Sequence, residues 1–289
     1  MSKETRSATL LLLVSAIWGF AFVAQSRGVA MVGTFTFNGV RFALGCAVLL
    51  PWLLIARAGR PSPWAAAAFG LPIGVVLFFA TSLQTQGMAT TSAGKAAFVT
   101  CLYIVFVPLA GRVVGRRIPW NALLGCVVSL AGLGLLCLNA RMEFVAGDLL
   151  VLGGAVFWTV QILLVERFSP RADPAWIAFW QFLTCSLLSL AAAVSVEAEG
   201  FHGLREAWLP IAYGGVLSVG VAYTLQVVAQ KDVPASRAAI LLSLETVFAA
   251  LGGWMLLGER LGIRELSGCA LMLSGVVVSQ SGAGWAAVD

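Results

Sequence analysis

Two cations stand at the start of two separate apolar stretches of this sequence. Lys95 lies in TSAGKAAF, and Arg237 lies 142 positions later in PASRAAIL. A cation in the first turn of a helix opposes the helix macrodipole, so each placement needs a compensating interaction. Two hypotheses remain open: each side chain reaches past the helix end to a polar surface, or each faces a cavity and attracts an anionic group such as a carboxylate.

Glu245 and Arg41 are the charges that lie deepest within apolar stretches. Glu245 follows Arg237 by eight residues, so the two share a similar helical face, and Glu245 is the acid placed to bind a proton or an organic cation. For Arg41 we favour a structural role, in a buried ion pair that fixes helix packing, over contact with a bound molecule.

A further set of candidates combines aromatic rings with carboxamides. An unpaired amide in an apolar medium is costly, so a glutamine there should face a partner or water. Rings beside carboxamides suit an amphipathic solute, whereas the alternative for each ring is packing at an interface. The predicted binding residues of this set are Trp18, Thr81, Gln84, Tyr103, Trp158, Gln161, Tyr223 and Gln226.

Composition predicts the elements that carry these side chains. Of 289 residues, 60% are apolar and 11% charged, and the mean hydropathy is +0.94, which excludes an ordinary soluble domain. A helix needs roughly 20 mainly apolar residues to cross a bilayer, and continuous apolar runs exclude the alternating strands of a barrel. We predict an all-α integral membrane protein with ten transmembrane helices, near residues 7–29, 34–56, 64–88, 92–113, 120–138, 147–167, 174–196, 207–230, 235–257 and 263–281.

The basic residues of the short loops predict the orientation. If the N-terminus is cytoplasmic, ten lysines and arginines lie inside against five outside, so we expect both termini in the cytoplasm. The net charge of +5 then reflects basic loops facing anionic lipid, and we expect no nucleic-acid partner. The inside set is Lys3, Arg6, Arg57, Arg60, Arg112, Arg116, Arg117, Arg167, Arg171 and Lys231.

Metal, disulfide and nucleotide chemistry have no support in the sequence. The six cysteines all lie within apolar stretches, where free cysteine behaves as a small hydrophobe. His202 is the one histidine and lies in a predicted loop, and the residues before Lys95 lack the P-loop pattern. We expect no cofactor, no metal and no enzymatic activity.

The sequence also contains an internal repeat, visible at offsets of 140 to 143 residues. We predict two repeats, residues 1–142 with helices 1 to 5 and residues 143–289 with helices 6 to 10. Because five crossings are an odd number, the second repeat enters the membrane from the opposite side, an arrangement typical of alternating access around a central site. The related pairs are Trp18 with Trp158, Gln84 with Gln226, Lys95 with Arg237, Tyr103 with Glu245, and Gly125 with Gly268.

Small residues and prolines carry structural hypotheses. Glycines of the fifth and tenth helices, including Gly125 and Gly268, are predicted to permit close helix packing. Pro72 and Pro108 interrupt predicted helices, and we expect them to serve as gating bends.

Four segments together point to a known family. They are SAIWGFAF in helix 1, GVRFALG in helix 2, PASRAAILLSLETVFAALGGWMLLGERL in helix 9, and the following GCALMLSG. With them the whole chain resembles the EamA-type transporters of the drug/metabolite transporter superfamily, and within it the bacterial exporters of aromatic amino acids. The resemblance implies a ten-helix carrier of the bacterial inner membrane. Helix 9 departs from the family's usual LEP, because Thr246 stands where the proline would bend the helix.

These features predict a secondary transporter that exports amino acids with aromatic or apolar side chains, and related amphipathic metabolites, by alternating access. The alternative is a multidrug or organic-cation exporter of the same fold, centred on Glu245. A membrane enzyme would need a nucleophile, an acid pair or a metal cluster, and an inverted repeat fits a carrier better than a channel. The expected partners are a small-molecule substrate and the lipid bilayer, with the chain monomeric or homodimeric.

Overall fold

The computed structural model describes residues 3–55, 62–91, 93–113, 115, 118–137, 145–197, 201–257 and 262–280. The side chains of 93–95, 136, 137, 253, 256, 257 and 280 are outside this description. Across the described residues the chain is helical and forms no strand, so the all-α prediction is confirmed there.

The described residues of the first half form six helices. They are α1 (Lys3–Met31), α2 (Thr34–Ile55), α3 (Pro63–Gly87), α4 (Ala93–Thr100), α5 (Tyr103–Val113) and α6 (Trp120–Cys137). The described elements of the second half are α7 (Ala146–Phe168), α8 (Pro174–Val196), α9 (Trp208–Ala212), a π-helical segment (Tyr213–Tyr223), α10 (Thr224–Gln230), α11 (Ala235–Leu242), α12 (Glu245–Leu257) and α13 (Ile263–Gln280). The segments from α9 to α10 form one continuous helical span, Trp208–Gln230.

Eight helices of the described residues are long and apolar enough to cross a membrane. They coincide with the predicted stretches one to four and six to nine, with α4 and α5 acting as one span and α11 and α12 as another. The fifth stretch forms a shorter apolar helix, Trp120–Leu135, and the tenth forms α13, which begins with the charged Arg264 and Glu265. A multi-pass membrane protein follows from these lengths and compositions.

The helices α6 and α13 cross closely at glycines. A methyl group added at Gly125 would lie 2.6 Å from the Gly275 carbonyl oxygen, and one added at Gly132 would lie 2.6 Å from that of Gly268. Because Gly125 precedes Gly132 while Gly275 follows Gly268, the two helices run antiparallel. Only glycine leaves room for this backbone approach.

Two tightened turns interrupt the helical pairs α4–α5 and α11–α12. The Leu102 amide donates to the Val99 carbonyl at 3.3 Å, and the Leu244 amide donates to the Leu241 carbonyl at 3.3 Å, both with three-residue spacing. The two turns are 142 positions apart, which is the repeat offset. A short tightened turn inside a helix often marks a hinge.

The prolines do not create these interruptions. Helix α3 continues through Pro72, and α5 continues through Pro108. The turn at Leu244 forms without a proline, because the Ser243 and Thr246 hydroxyls donate to the carbonyls of Ile240 and Ser243, both at 2.8 Å. The gating role of Pro72 and Pro108 therefore stays a prediction.

Candidate functional site

A cavity lies among the helices of both halves. The cavity is narrow, with a volume of about 30 Å³. Its wall includes residues of helices α1, α2, α3 and α7 and of the helical pairs α4–α5 and α11–α12. The lining residues are Trp18, Phe22, Gln25, Arg41, Gln84, Thr100, Tyr103, Trp158, Ile162, Ser218, Tyr223, Gln226, Leu242 and Glu245.

Glu245 is held at the first residue of α12, directly after its tightened turn. The Tyr103 hydroxyl donates to Glu245 Oε1 at 3.2 Å, and the Cys101 thiol lies 3.5 Å from the same oxygen. A carboxylate at a helix N-terminus is also stabilised by the helix macrodipole. The side chain is 5% exposed, and its remaining area faces the cavity.

The aromatic wall of the cavity is a cluster of Trp18, Trp158 and Tyr223. The Trp18 ring centroid lies 4.5 Å from that of Tyr223 and 6.4 Å from that of Trp158. The Trp158 and Tyr223 rings stack with centroids 6.1 Å apart. Distances of this kind are typical of attractive aromatic pairs. The cluster offers a planar apolar surface to a bound solute.

Both tryptophans of the cluster are tethered through their indole nitrogens. Trp158 Nε1 donates to Gln84 Oε1 at 2.6 Å, and Trp18 Nε1 donates to the Ser218 carbonyl at 3.3 Å. Ser218 belongs to the π-helical segment, and such segments frequently occur at functional sites. The tethers fix the orientation of both rings towards the cavity.

The three glutamines predicted to bind substrate, Gln84, Gln161 and Gln226, have hydrogen-bond partners, as expected for amides buried in a membrane. Gln161 Nε2 donates to Gln226 Oε1 at 3.3 Å, and Gln226 Nε2 donates back to Gln161 Oε1 at 3.1 Å. Gln84 and Gln226 line the cavity, whereas Gln161 supports Gln226 from outside the lining. Thr81 also lies outside the cavity lining. Its hydroxyl donates to the Leu77 carbonyl of its own helix at 2.8 Å.

Arg41 is only 1% exposed, and the cavity is where its guanidinium reaches open space. Its guanidinium carbon lies 5.3 Å from the Phe37 ring centroid and 5.1 Å from the Phe42 ring centroid. Among the described residues no carboxylate pairs with it, so the favoured hypothesis of a buried ion pair finds no partner here. The rings supply cation–π attraction instead.

Arg237 does not line this cavity. It forms an ion pair with Glu4 at the start of α1, and its side chain is 6% exposed. The hypothesis that Arg237 attracts an anionic group at its end of the transport path stays a prediction. The side chain of its counterpart, Lys95, lies outside the described residues.

Six lining residues escaped the sequence analysis, namely Phe22, Gln25, Thr100, Ile162, Ser218 and Leu242. Gln25 follows Trp18 by seven residues, a spacing that places both on one helical face and would have indicated it. Ser218 contributes its carbonyl oxygen and Leu242 an apolar side chain, and nothing in their residue types signals such a place.

A sequence model of the EamA-like transporter family matches residues 5–138 and again residues 145–280. The chain belongs to the EamA-like transporter family. The family prediction is thus confirmed, and this EamA-like protein is a membrane transporter.

Relatives of this EamA-like protein are also named as transporters. An uncharacterized transporter of Archaeoglobus fulgidus is 31% identical over 93% of this chain and 83% of its own length. The threonine/homoserine exporter RhtA of Salmonella typhimurium is 29% identical over 91% of this chain and 87% of its own length. RhtA of Escherichia coli K12 is 26% identical, over 94% of this chain and 89% of its own.

A crystal structure of another protein shares the fold. It superimposes with a TM-score of 0.80 at 20% sequence identity, and the match covers 96% of this chain and 99% of that one.

Proposed function

We propose that this EamA-like protein is a secondary carrier that exports amino acids and related small amphipathic metabolites by alternating access. The observation that carries the proposal is the central cavity, whose described wall combines an aromatic cluster, amides, one guanidinium and one carboxylate. A site enclosed by both halves of the chain can be exposed to either side by rocking one half against the other.

The proposal includes ten crossings arranged as two inverted five-helix repeats, residues 1–142 and 143–289. Two observations support it. The family model matches once in each half, and the glycine crossing of α6 with α13 is antiparallel, as related helices must be when the repeats are inverted.

We further propose that the carrier prefers amino acids with aromatic or apolar side chains. The three contacting rings of Trp18, Trp158 and Tyr223 support this preference, because aromatic side chains gain offset or edge-to-face contacts with such rings. The named RhtA relatives export threonine and homoserine, so both kinds of amino acid belong in the test.

We propose an inner-membrane location with both termini in the cytoplasm. Lys3, Arg6 and Lys231 line one crevice together with Asp173 and Asp232, so the start of α1 and the connection that contains Lys231 share one face of the protein. A shared basic face is what the positive-inside rule requires. A cysteine introduced at Arg6 should react with a membrane-impermeant thiol reagent in inside-out vesicles and not in intact cells.

The transport proposal is tested by counterflow. Purified protein in liposomes loaded with an unlabelled amino acid should take up the same labelled amino acid saturably and faster than unloaded liposomes do. The panel should contain phenylalanine, leucine, threonine and homoserine, with protein-free liposomes and the exposed Glu206→Gln variant as controls. A linear, non-saturating flux for every amino acid would contradict the proposal.

A second candidate is an organic-cation exporter of the same fold. Glu245 supports it, because it is the acid that lines the cavity among the described residues. In that case Glu245→Gln should abolish cation transport, and unchanged cation transport would exclude this candidate.

A further inference from the structure

Among the described residues, one cationic side chain, Arg41, and one acidic side chain, Glu245, line the central cavity without bonding to each other. We propose that it recognises the zwitterionic end of an α-amino acid, with Arg41 binding the carboxylate and Glu245 binding the ammonium group. This inference rests on the proposed amino-acid transport and adds the chemical basis of its selectivity.

Arg41 has the properties of a carboxylate-binding site. It is 1% exposed, its Nε is buried without a hydrogen-bond partner, and no described residue accepts a hydrogen bond from its guanidinium. The rings of Phe37 and Phe42 attract the charge but leave its donors unused. A guanidinium in this setting is costly unless an anion pairs with it, and a carboxylate matches its fork of donors.

Glu245 has the complementary properties. Both described donors, the Tyr103 hydroxyl and the Cys101 thiol, approach Oε1. Oε2 accepts no hydrogen bond from the described residues, although the side chain lines the cavity. An ammonium group has three donors and no acceptor, so it can bond Oε2 without displacing Tyr103.

Arg41 and Glu245 line the same cavity but form no ion pair with each other. The Tyr223 hydroxyl is within electrostatic range of both Arg41 and Glu245, and the Tyr223 ring belongs to the aromatic cluster. The rings of Trp18 and Trp158 complete the wall and add cation–π attraction for an ammonium group. An α-amino acid presents its two charged groups on the same carbon atom, with the side chain free to meet the rings.

The wild-type protein should therefore discriminate between three molecules that share a phenyl ring. L-Phenylalanine carries both charges, 2-phenylethylamine lacks the carboxylate, and 3-phenylpropanoate lacks the ammonium group. In competition against labelled phenylalanine, each analogue should be weaker than phenylalanine by about tenfold or more, the usual effect of losing a charge-assisted hydrogen bond.

Two neutral variants assign the charges. With Glu245→Gln the disadvantage of 3-phenylpropanoate should fall by about tenfold while that of 2-phenylethylamine persists. With Arg41→Gln the pattern should reverse. Arg205 and Glu206 are exposed and adjacent in the sequence, so Arg205→Gln and Glu206→Gln serve as matched controls. Both should leave the competition of each analogue relative to phenylalanine unchanged.

The outcomes separate this inference from the proposed function. Phenylalanine counterflow with equal competition by the analogues would overturn the zwitterion site and leave the carrier standing, whereas counterflow of no amino acid would overturn the carrier itself. If a neutral variant fails to fold, as judged by size-exclusion chromatography, the zwitterion site is tested by the wild-type competition ratios and by the Glu245→Asp or Arg41→Lys variant. Both of these charge-preserving variants should keep the wild-type order of the three molecules.

Discussion

Tyr103 donates a hydrogen bond to Glu245 across 3.2 Å, although 142 positions separate the two residues. This separation equals the repeat offset that relates their helices. Residues related by a two-fold axis can touch each other only beside that axis. Trp18 and Trp158, a second related pair, also lie close, with ring centroids 6.4 Å apart. Under the proposed inverted repeat, the candidate site lies beside the axis that relates the two halves.

Replacing Tyr103 with phenylalanine tests the bond to Glu245. If the carboxylate is ionised, removing the donor should destabilise the protein by about 1.5–3 kcal/mol, the range for hydrogen bonds to charged groups. Unfolding in mixed micelles with increasing SDS measures the change. The control is Tyr213→Phe, which removes a bond of 2.9 Å to the Ile17 carbonyl and should cost about 1 kcal/mol. Equal losses in the two variants would argue against a charge-assisted bond at Tyr103.

Replacing Trp158 with phenylalanine tests the aromatic wall. The variant loses the 2.6 Å tether to Gln84 and part of the ring surface. We expect the KM for an aromatic amino acid to rise about threefold to tenfold, as one hydrogen bond and some contact area are lost. Counterflow kinetics measure it, with Trp120→Phe as the control because that ring is 75% exposed. An unchanged KM would remove Trp158 from the binding surface.

Replacing Gly132 with alanine tests the close crossing of α6 and α13. The added methyl group would lie 2.6 Å from the Gly268 carbonyl oxygen, so the helices must separate, at a cost of about 1–3 kcal/mol. The matched control is Gly153→Ala in α7, where the methyl group would meet Leu83 Cδ1 at an ordinary 3.5 Å. Gly153→Ala should be neutral or stabilising, since alanine favours the helix. If both variants unfold at the same SDS concentration, the crossing is looser than described.

The ion pair of Arg237 with Glu4 is tested by a double-mutant cycle with Glu4→Gln and Arg237→Gln. Glu4 is 47% exposed, so water screens the pair, and we expect a coupling of about 0.2–1 kcal/mol in the free energy of unfolding. The coupling should weaken as the salt concentration rises. A cycle between Glu4→Gln and Arg205→Gln, which form no pair, should give no coupling. Zero coupling in both cycles would mean that the Arg237 pair contributes nothing measurable.

Much of the architecture could be predicted because it depends on local properties of the sequence. Apolar length predicted the spans, and eight of them are described helices. The repeat offset paired Trp18 with Trp158 and Tyr103 with Glu245, and both pairs lie in contact range. The interruptions of the helices were less predictable, because the turn at Leu244 depends on serine and threonine hydroxyls rather than on proline.

By itself, the sequence determined that the protein lies in a membrane and in which order its helices follow. It also determined which residues the repeat offset pairs. These follow from composition, apolar length and a fixed offset along the chain. Only the tertiary structure decided which charges are paired: Arg237 meets Glu4, whereas Arg41 opens onto the cavity without a described acid partner. The reason is geometric, since the partner of a buried charge depends on how helices rotate and cross, and helical periodicity alone does not encode that.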